Sequence, residues 1–211
     1  YLICIAKTND KGSPEKSLSA FIINGDAKGI SKTPLQSISD KYYEINFDNV
    51  VVPNTSIIGT KDEGWEIVKQ IMNRAATAKC SELVGMAQQV LDMTVQYAKD
   101  RKQFDRPIGN LQIIQHYCAD MFVLVEGMRL SAYQAAWKLS EGLPSMEEIA
   151  VARAWAIDAI EPIIGNAHQI HGAMGSAIEY DLHYYTRRMK TSELFLRNID
   201  LYSEALAEAA L

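Results

Sequence analysis

The pattern of hydrophobic and polar residues changes near Gly59, from a period of two before it to a helical period after it. In the first part, short runs of β-forming residues are separated by turn signals such as Asn24-Gly25, and Pro53 ends the last run. The predicted strands cover residues 2–6, 17–23, 29–35 and 43–47, with a loop over 8–16 that contains Gly12 and Pro14. The last strand alternates apolar and polar side chains, so we expect it to be half-buried. Residues 1–59 therefore predict a partial antiparallel β domain.

The remainder of the chain predicts long helices. Apolar residues recur at helical spacing over residues 64–99, 107–139, 146–168 and from about Tyr180 to the C-terminus. Ser145 and Glu148, three residues apart, are a capping-box candidate at the start of the third helix, and Gly172 and Gly175 are plausible stops at its end. Short connectors between long helices predict an up-down four-helix bundle over residues 60–211. The predicted fold class is mainly α, with the partial β domain in front.

Charge and composition exclude several kinds of partner. The formal net charge is −5 with no block of like charges, so we expect no nucleic-acid partner. No apolar run is long enough to span a bilayer, so we expect no membrane insertion. Three widely spaced cysteines predict neither a disulfide framework nor a zinc site, and they favour a cytoplasmic location. The chain opens at Tyr1 within a strand pattern, and we expect it to be part of a longer polypeptide.

The first candidate motif follows the first long helix and reads Arg101-Lys102-Gln103-Phe104. A guanidinium at Arg101 can grip a phosphate in fork geometry, while Gln103 adds an amide donor and Phe104 an apolar plate. Taken alone, the same residues are more typical of a basic helix C-terminus that complements the helix dipole.

The second candidate motif, residues 169–175, reads QIHGAMG. Its glycines permit close approach of the backbone to a ligand, and exposed amides in such a loop can bind anions. The alternative is a plain turn between helices, in which His171 is a structural residue. His168 and His171 share a helix face, but no cysteine or carboxylate lies at a spacing typical of metal ligands. We therefore predict no metal site.

Taken together, the motifs are more specific than either one alone. The order and spacing of RKQFDRPI, LQIIQHYCADM and QIHGAMG resemble those of the acyl-CoA dehydrogenase family. GTKDEGWEIVKQIMNRA resembles the family's entry into its first bundle helix. AFIINGDAKGIS and FDNVVVPNTSIIG resemble its last β-domain strands. The resemblance covers essentially the whole chain and identifies it as the C-terminal part of such a protein.

The resemblance implies a flavoprotein with FAD as cofactor and an acyl-CoA thioester as substrate. In the family, a carboxylate removes an α-proton while FAD takes a hydride from the β-carbon, and electrons pass to an electron-transferring flavoprotein. The family's members are obligate oligomers, usually tetramers, and both homo- and hetero-oligomers occur. The ending EYDLHYYTRRMKTSELFL resembles a branch that acts on bulky thioesters, including steroid side chains.

The resemblance also assigns cofactor contacts. The arginine that matches Arg101 reaches the FAD pyrophosphate of a neighbouring subunit, and Gln103 and Phe104 lie beside the flavin or its ribityl chain. The loop that receives the ADP half supplies the remaining candidates, which are Gln169, His171, Gly172 and Gly175.

Three departures from the family pattern concern catalysis and the loop. The usual catalytic glutamate falls on Leu196, and the alternative base position on the first bundle helix falls on Ala75. Glu82 lies two helical turns from Ala75 on the same face and is a displaced candidate base. Ala173 replaces the usual second glycine of the loop.

These departures leave three hypotheses open. The first is an acyl-CoA dehydrogenase that is active in its full assembly. The second is a non-catalytic subunit of a heteromeric enzyme, which completes a partner's FAD site. The third is a helical interaction module without flavin, which four amphipathic helices alone would support equally well.

Overall fold

A computed structural model describes residues 1–10, 13 and 16–197 of the chain. Within the predicted loop over residues 8–16, Gly12 and Pro14 lie outside the described residues. The chain divides into two compact units, Tyr1–Arg74 and the part that begins at Ala75. The predicted domain boundary between residues 59 and 60 marks the change from the strand pattern to the helical pattern. This domain assignment stays a prediction.

The first unit contains the predicted strands. A three-stranded antiparallel sheet has the order β1-β2-β5, formed by Leu2–Lys7, Leu18–Ile23 and Ile57–Ile58. Cys4 pairs with Phe21 in its centre. The middle strand carries the buried residues Ser19, Ala20 and Ile23, as expected for a strand with neighbours on both sides.

A separate two-stranded antiparallel sheet pairs β3, Ile30–Leu35, with β4, Tyr42–Phe47. The strand at residues 43–47 was expected to be half-buried, and this expectation is wrong: Tyr43 is 50% and Phe47 41% exposed. Alternation correctly predicts the strand, but it cannot tell whether a second layer of structure covers the apolar face.

Four helices make up most of the rest. They are α1, Gly64–Asp100, α2, Gln112–Ser140, α3, Met146–His171, and α4, Leu182–Arg197. A small hairpin of β6, Lys102–Gln103, and β7, Arg106–Pro107, separates α1 from α2. The predicted mainly α fold with a helical bundle is confirmed. The predicted continuation of the fourth helix to the C-terminus lies outside the described residues beyond residue 197.

Two local predictions are corrected. The second helix was expected from Pro107, but Ile108–Asn110 forms a 3-10 turn and α2 begins at Gln112. The capping box is not formed, because the side chain of Ser145 makes no capping hydrogen bond at the start of α3. Glu148 instead pairs with Lys138 across the short connector between α2 and α3. The hydrogen bond from Lys138 holds the pKa of Glu148 below its usual value.

The bundle core is built from the inward faces of the four helices. Its largest fully buried side chains include Leu83, Met121, Ile160, Met189 and Leu196, with every helix represented. Polar side chains connect the helices around this core: Arg129 of α2 donates to Gln88 of α1 at 2.5 Å. Among the described helices, none combines the length and apolar character needed to cross a lipid bilayer.

Candidate functional site

The first candidate motif forms a tight hairpin at the end of α1. The amide of Arg101 still donates to the carbonyl of Tyr97 at 2.9 Å, as in a helix, and the carbonyl of Arg101 accepts from the amide of Ile108 at 2.9 Å. The two turn residues, Phe104 and Asp105, have φ values of 54° and 63°. This pair of positive φ values is typical of the two-residue turns that close β-hairpins.

Phe104 is presented to solvent at the tip of this hairpin, with its side chain 84% exposed. A left-handed backbone conformation is unfavourable for a bulky residue, and such strain clusters at ligand-binding sites. Arg101 and Gln103 are exposed beside it. The hairpin therefore offers a cation, an amide and an aromatic ring to a ligand or a partner.

The second candidate motif is a glycine-bearing bend between α3 and α4. Gly172 ends α3 with φ 57° and ψ −135°, and its amide donates to the carbonyl of His168. This conformation is open to glycine and strained for other residues. A Cβ added at Gly172 would meet no atom within 4 Å, so the space beside the backbone is open. Gln169 is exposed next to it. The bend fits a ligand that approaches the backbone closely.

Gly175 has a different role, because it is buried in the bend. A Cβ added there would lie 2.9 Å from Nδ1 of His168 and 3.2 Å from Cβ of His171. The imidazole of His168 cannot move away freely, since its Nε2 lies 2.8 Å from the hydroxyl of Thr186. Gly175 therefore allows the bend to pack against the end of α3.

We expect Gly175→Ala to lower the free energy of unfolding by about 1–2 kcal/mol, the usual cost of overpacking a close contact. The matched control is Gly165→Ala on the exposed side of α3, where an added Cβ meets nothing within 4 Å. Gly165→Ala should instead stabilise the protein by roughly 0.5–1 kcal/mol, because alanine favours a helix interior. Urea unfolding of both variants measures the difference, and equal effects would contradict the packing role of Gly175.

Three aromatic side chains bring the hairpin and the bend together. The Tyr97 ring stacks on the His171 ring with centroids 4.4 Å apart, and the Tyr97 hydroxyl donates to the His171 carbonyl at 3.4 Å. Tyr180, at the far end of the bend, lies with its ring 5.1 Å from that of His171. Since Tyr97 precedes Arg101 by one helical turn, these contacts place both motifs in the same region of the bundle.

His171 is almost completely buried, with 3% of its surface exposed. Its Nδ1 lies 2.8 Å from the carbonyl of Ala167, and its Nε2 lies 3.0 Å from the hydroxyl of Tyr180. Burial lowers the pKa of the ring, despite the hydrogen bond to Ala167. Both nitrogens thus have partners within the chain, which favours a structural role. The direct contact of His171 with a cofactor stays a prediction.

The sequence prediction missed Tyr97 and Tyr180. Tyr97 continues the apolar face of α1, and no motif marks it as a site residue. Tyr180 lies 83 positions later in the chain. No spacing rule connects two residues at that separation. In the described part of the chain, no group of three or more His, Cys, Asp and Glu side chains could hold a metal ion.

The two positions that the sequence resemblance assigns to the base are apolar here. Leu196 lies on α4 and is fully buried, and its carbonyl accepts a hydrogen bond from the buried guanidinium of Arg153. Ala75 is a half-buried residue of α1. The carboxylate of Glu82 accepts hydrogen bonds from Nη2 of Arg188 at 2.7 Å and from Nζ of Lys79 at 2.6 Å. Both carboxylate oxygens of Glu82 therefore have cationic partners within the chain, which stabilise its ionised form.

Comparison with known proteins gives the class. The family model described as the C-terminal domain of acyl-CoA dehydrogenases matches residues 62–196. The chain therefore belongs to the acyl-CoA dehydrogenase family.

Individual relatives agree with this assignment. The glutaryl-CoA dehydrogenase of Desulfococcus multivorans is 34% identical over 187 residues, covering 86% of this chain and 48% of the relative. The structure of a glutaryl-CoA dehydrogenase in complex with glutaryl-CoA matches with a TM-score of 0.91 at 32% identity, covering 98% of this chain and 53% of that one. PigA, solved with FAD and proline, matches with a TM-score of 0.90 at 26% identity, covering 99% and 55%. The chain spans about half the length of the curated relatives it matches.

Proposed function

We propose that this chain is the C-terminal part of an FAD-dependent acyl-CoA dehydrogenase, an oxidoreductase that introduces an α,β double bond into an acyl-CoA thioester. The observation that carries the proposal is the joining of two distant candidate motifs by the contact between Tyr97 and His171, which are 74 positions apart. Two solvent-open segments with complementary donors in one region suit an elongated dinucleotide better than either segment alone.

The residues present fit the cofactor. Arg101 offers an exposed guanidinium for the pyrophosphate, which it can grip through paired hydrogen bonds. Gln103 and Phe104 would lie beside the flavin or its ribityl chain, while Gln169 and the open backbone at Gly172 would receive the ADP half. When bound, FAD supplies the acceptor for the hydride. The match to PigA, a protein solved with FAD, supports this cofactor.

The substrate and the electron acceptor are proposed at the level of class. The relationship to a glutaryl-CoA dehydrogenase supports an acyl-CoA thioester, from fatty acid or steroid side-chain metabolism. An electron-transferring flavoprotein is the proposed acceptor. Three free cysteines suit a reducing compartment, and we place the protein in the cytoplasm.

An exposed apolar face on α2 supports the proposed oligomer. Val123, Leu130 and Trp137 recur every seven residues on one side of the helix and are 63%, 69% and 56% exposed. A large apolar surface rimmed by polar residues is typical of protein interfaces. We propose that this face packs against a second copy or a related subunit in a homo- or heterotetramer, where Arg101 would reach a neighbour's FAD.

The complete protein, purified and incubated with FAD, tests the assignment. We expect a stable flavin absorbance spectrum after removal of free FAD, and bleaching of that spectrum when an acyl-CoA substrate is added. A complete assembly that never retains flavin would count decisively against the proposal.

A second candidate function rests on Leu196. The position of the usual base is filled by a buried leucine, and the other base position is Ala75. We therefore keep the proposal of a non-catalytic subunit, in which the bundle contributes oligomer contacts and completes a partner's FAD site. Oxidation of acyl-CoA with an artificial acceptor separates the two functions, comparing the complete protein alone with a mixture that contains the product of a neighbouring gene. Activity of the homo-oligomer alone would eliminate the second function.

If the homo-oligomer is active, Glu82→Gln tests the remaining carboxylate candidate. A base role predicts loss of nearly all turnover, on the order of 100-fold or more, because general-base catalysis is removed. Arg188→Gln is the matched control, since it breaks the ion pair with Glu82 and leaves the carboxylate in place. An undiminished rate in Glu82→Gln would exclude Glu82 as the base.

A further inference from the structure

The contact between the two candidate FAD segments consists of hydrogen bonds with a defined direction as well as ring packing. A backbone carbonyl can only accept, so Nδ1 of His171 must carry the proton that it shares with Ala167. In a neutral ring, Nε2 is then an acceptor, and the Tyr180 hydroxyl must donate to it. Burial lowers the pKa of His171, which agrees with a neutral ring.

We propose that Tyr97, His171 and Tyr180 form a positioning latch, which holds the Arg101 hairpin and the glycine bend in fixed positions relative to each other for nucleotide binding. The inference rests on the proposed FAD function and adds Tyr97 and Tyr180 as positioning residues that act through His171 and the backbone. The proposal is supported by the fact that each of the three side chains belongs to a different segment. These segments are the last turns of α1, the last turn of α3 and the region that follows the bend.

The latch acts on both segments through the backbone. The Tyr97 hydroxyl binds the carbonyl of His171, the residue directly before Gly172, and therefore fixes the peptide plane that starts the bend. The carbonyl of Tyr97 accepts from the amide of Arg101, so a shift of Tyr97 also shifts the base of the hairpin. Tyr180 holds the ring of His171 from the other side. A preorganised anion site binds more tightly because less conformational freedom is lost on binding.

The test uses hydroxyl deletions that keep the aromatic rings. Tyr97→Phe and Tyr180→Phe should each raise the dissociation constant of FAD by a factor of roughly 3–10, the ratio expected for one ordinary hydrogen bond. ADP, used as a competitor, should lose affinity by the same factor, since the latch serves that half of the cofactor. Tyr184→Phe on α4 is the control, because this tyrosine is 55% exposed and contacts His183 outside the latch.

A second measurement follows the bend without nucleotide. Hydrogen exchange of the amides in residues 172–177 of the complete protein should become faster in both latch variants and remain unchanged in Tyr184→Phe. Faster exchange together with weaker FAD and ADP binding supports the latch. Unchanged exchange, or exchange that rises while nucleotide affinity does not change, overturns it.

The failure of the latch is distinguishable from failure of the proposed function. If the unaltered protein retains FAD but the latch variants retain it equally well, only the latch is overturned. If the unaltered protein binds neither FAD nor ADP, the proposed function fails and the nucleotide role of the latch fails with it.

Discussion

Leu196→Ala is expected to lower the free energy of unfolding of the complete protein by about 2–5 kcal/mol, the range for removing a large buried aliphatic side chain. Leu196 has no exposed surface and is among the largest fully buried side chains of the bundle. The loss has two parts, the transfer free energy of the deleted atoms and the cavity that remains. The hydrogen bond from Arg153 to the carbonyl of Leu196 involves only the backbone of this residue and is retained.

Leu194→Ala is the matched control, because it removes the same atoms from the same helix. Leu194 is 49% exposed, so its truncation should cost less than about 1 kcal/mol. Urea unfolding of the two variants gives the comparison directly. Equal losses would show that Leu196 is not a core residue in the assembled protein.

The outcome bears on function as well as stability. A side chain that fills the core leaves no room at this position for a solvated carboxylate, since burying an unpaired charge is costly. Since leucine cannot accept a proton, an active homo-oligomer would need a proton acceptor from another residue or another subunit.

The helical architecture was accessible from the sequence because its signals are local. The apolar spacing that predicts α1 runs through a helix of 37 residues without proline, and the position of Gly172 correctly marks the end of α3. The strands at Leu18–Ile23 and Ile30–Leu35 were likewise indicated by β-forming runs between turn residues.

The errors concern choices between competing partners. Glu148 was expected to cap its own helix, but Lys138 lies within reach across the connector, and a full positive charge competes with the backbone amide for the carboxylate. The strand that contains Phe47 was expected to be half-buried, but the exposure of its apolar side chains depends on what covers the sheet. Contacts of this kind depend on the three-dimensional arrangement, and the periodicity of the sequence does not indicate them.

In the candidate site, too, the sequence indicated some of the residues and only the structure revealed the others. The family resemblance supplied the exposed residues, including Arg101 and Gln169, because these lie within short motifs. The supporting contacts of Tyr97 and Tyr180 became visible only in the structure, since they join residues that are distant along the chain. His171 belongs to both groups: its motif suggested a cofactor contact, and its buried ring favours support of the bend.

Arg101→Ala is expected to raise the dissociation constant of FAD by roughly 10- to 100-fold, because the pyrophosphate loses a charge-assisted hydrogen-bond partner. Because Arg101 is exposed, its truncation should leave the fold intact, and the free energy of unfolding of the variant should remain close to that of the unaltered protein. Equilibrium titration of the complete protein with FAD, followed by flavin fluorescence, measures the change.

Two further variants separate a specific contact from general attraction between charges. Lys102→Ala removes one positive charge from the adjacent position of the same hairpin and should weaken FAD binding by less than about threefold, as expected for an exposed charge without a specific contact. Arg101→Lys keeps the charge but loses the planar fork, so its affinity should fall between those of the alanine variant and the unaltered protein. Equal effects of Arg101→Ala and Lys102→Ala would mean that the hairpin attracts the phosphates only through its net charge, and the assignment of a pyrophosphate contact to Arg101 would then be wrong.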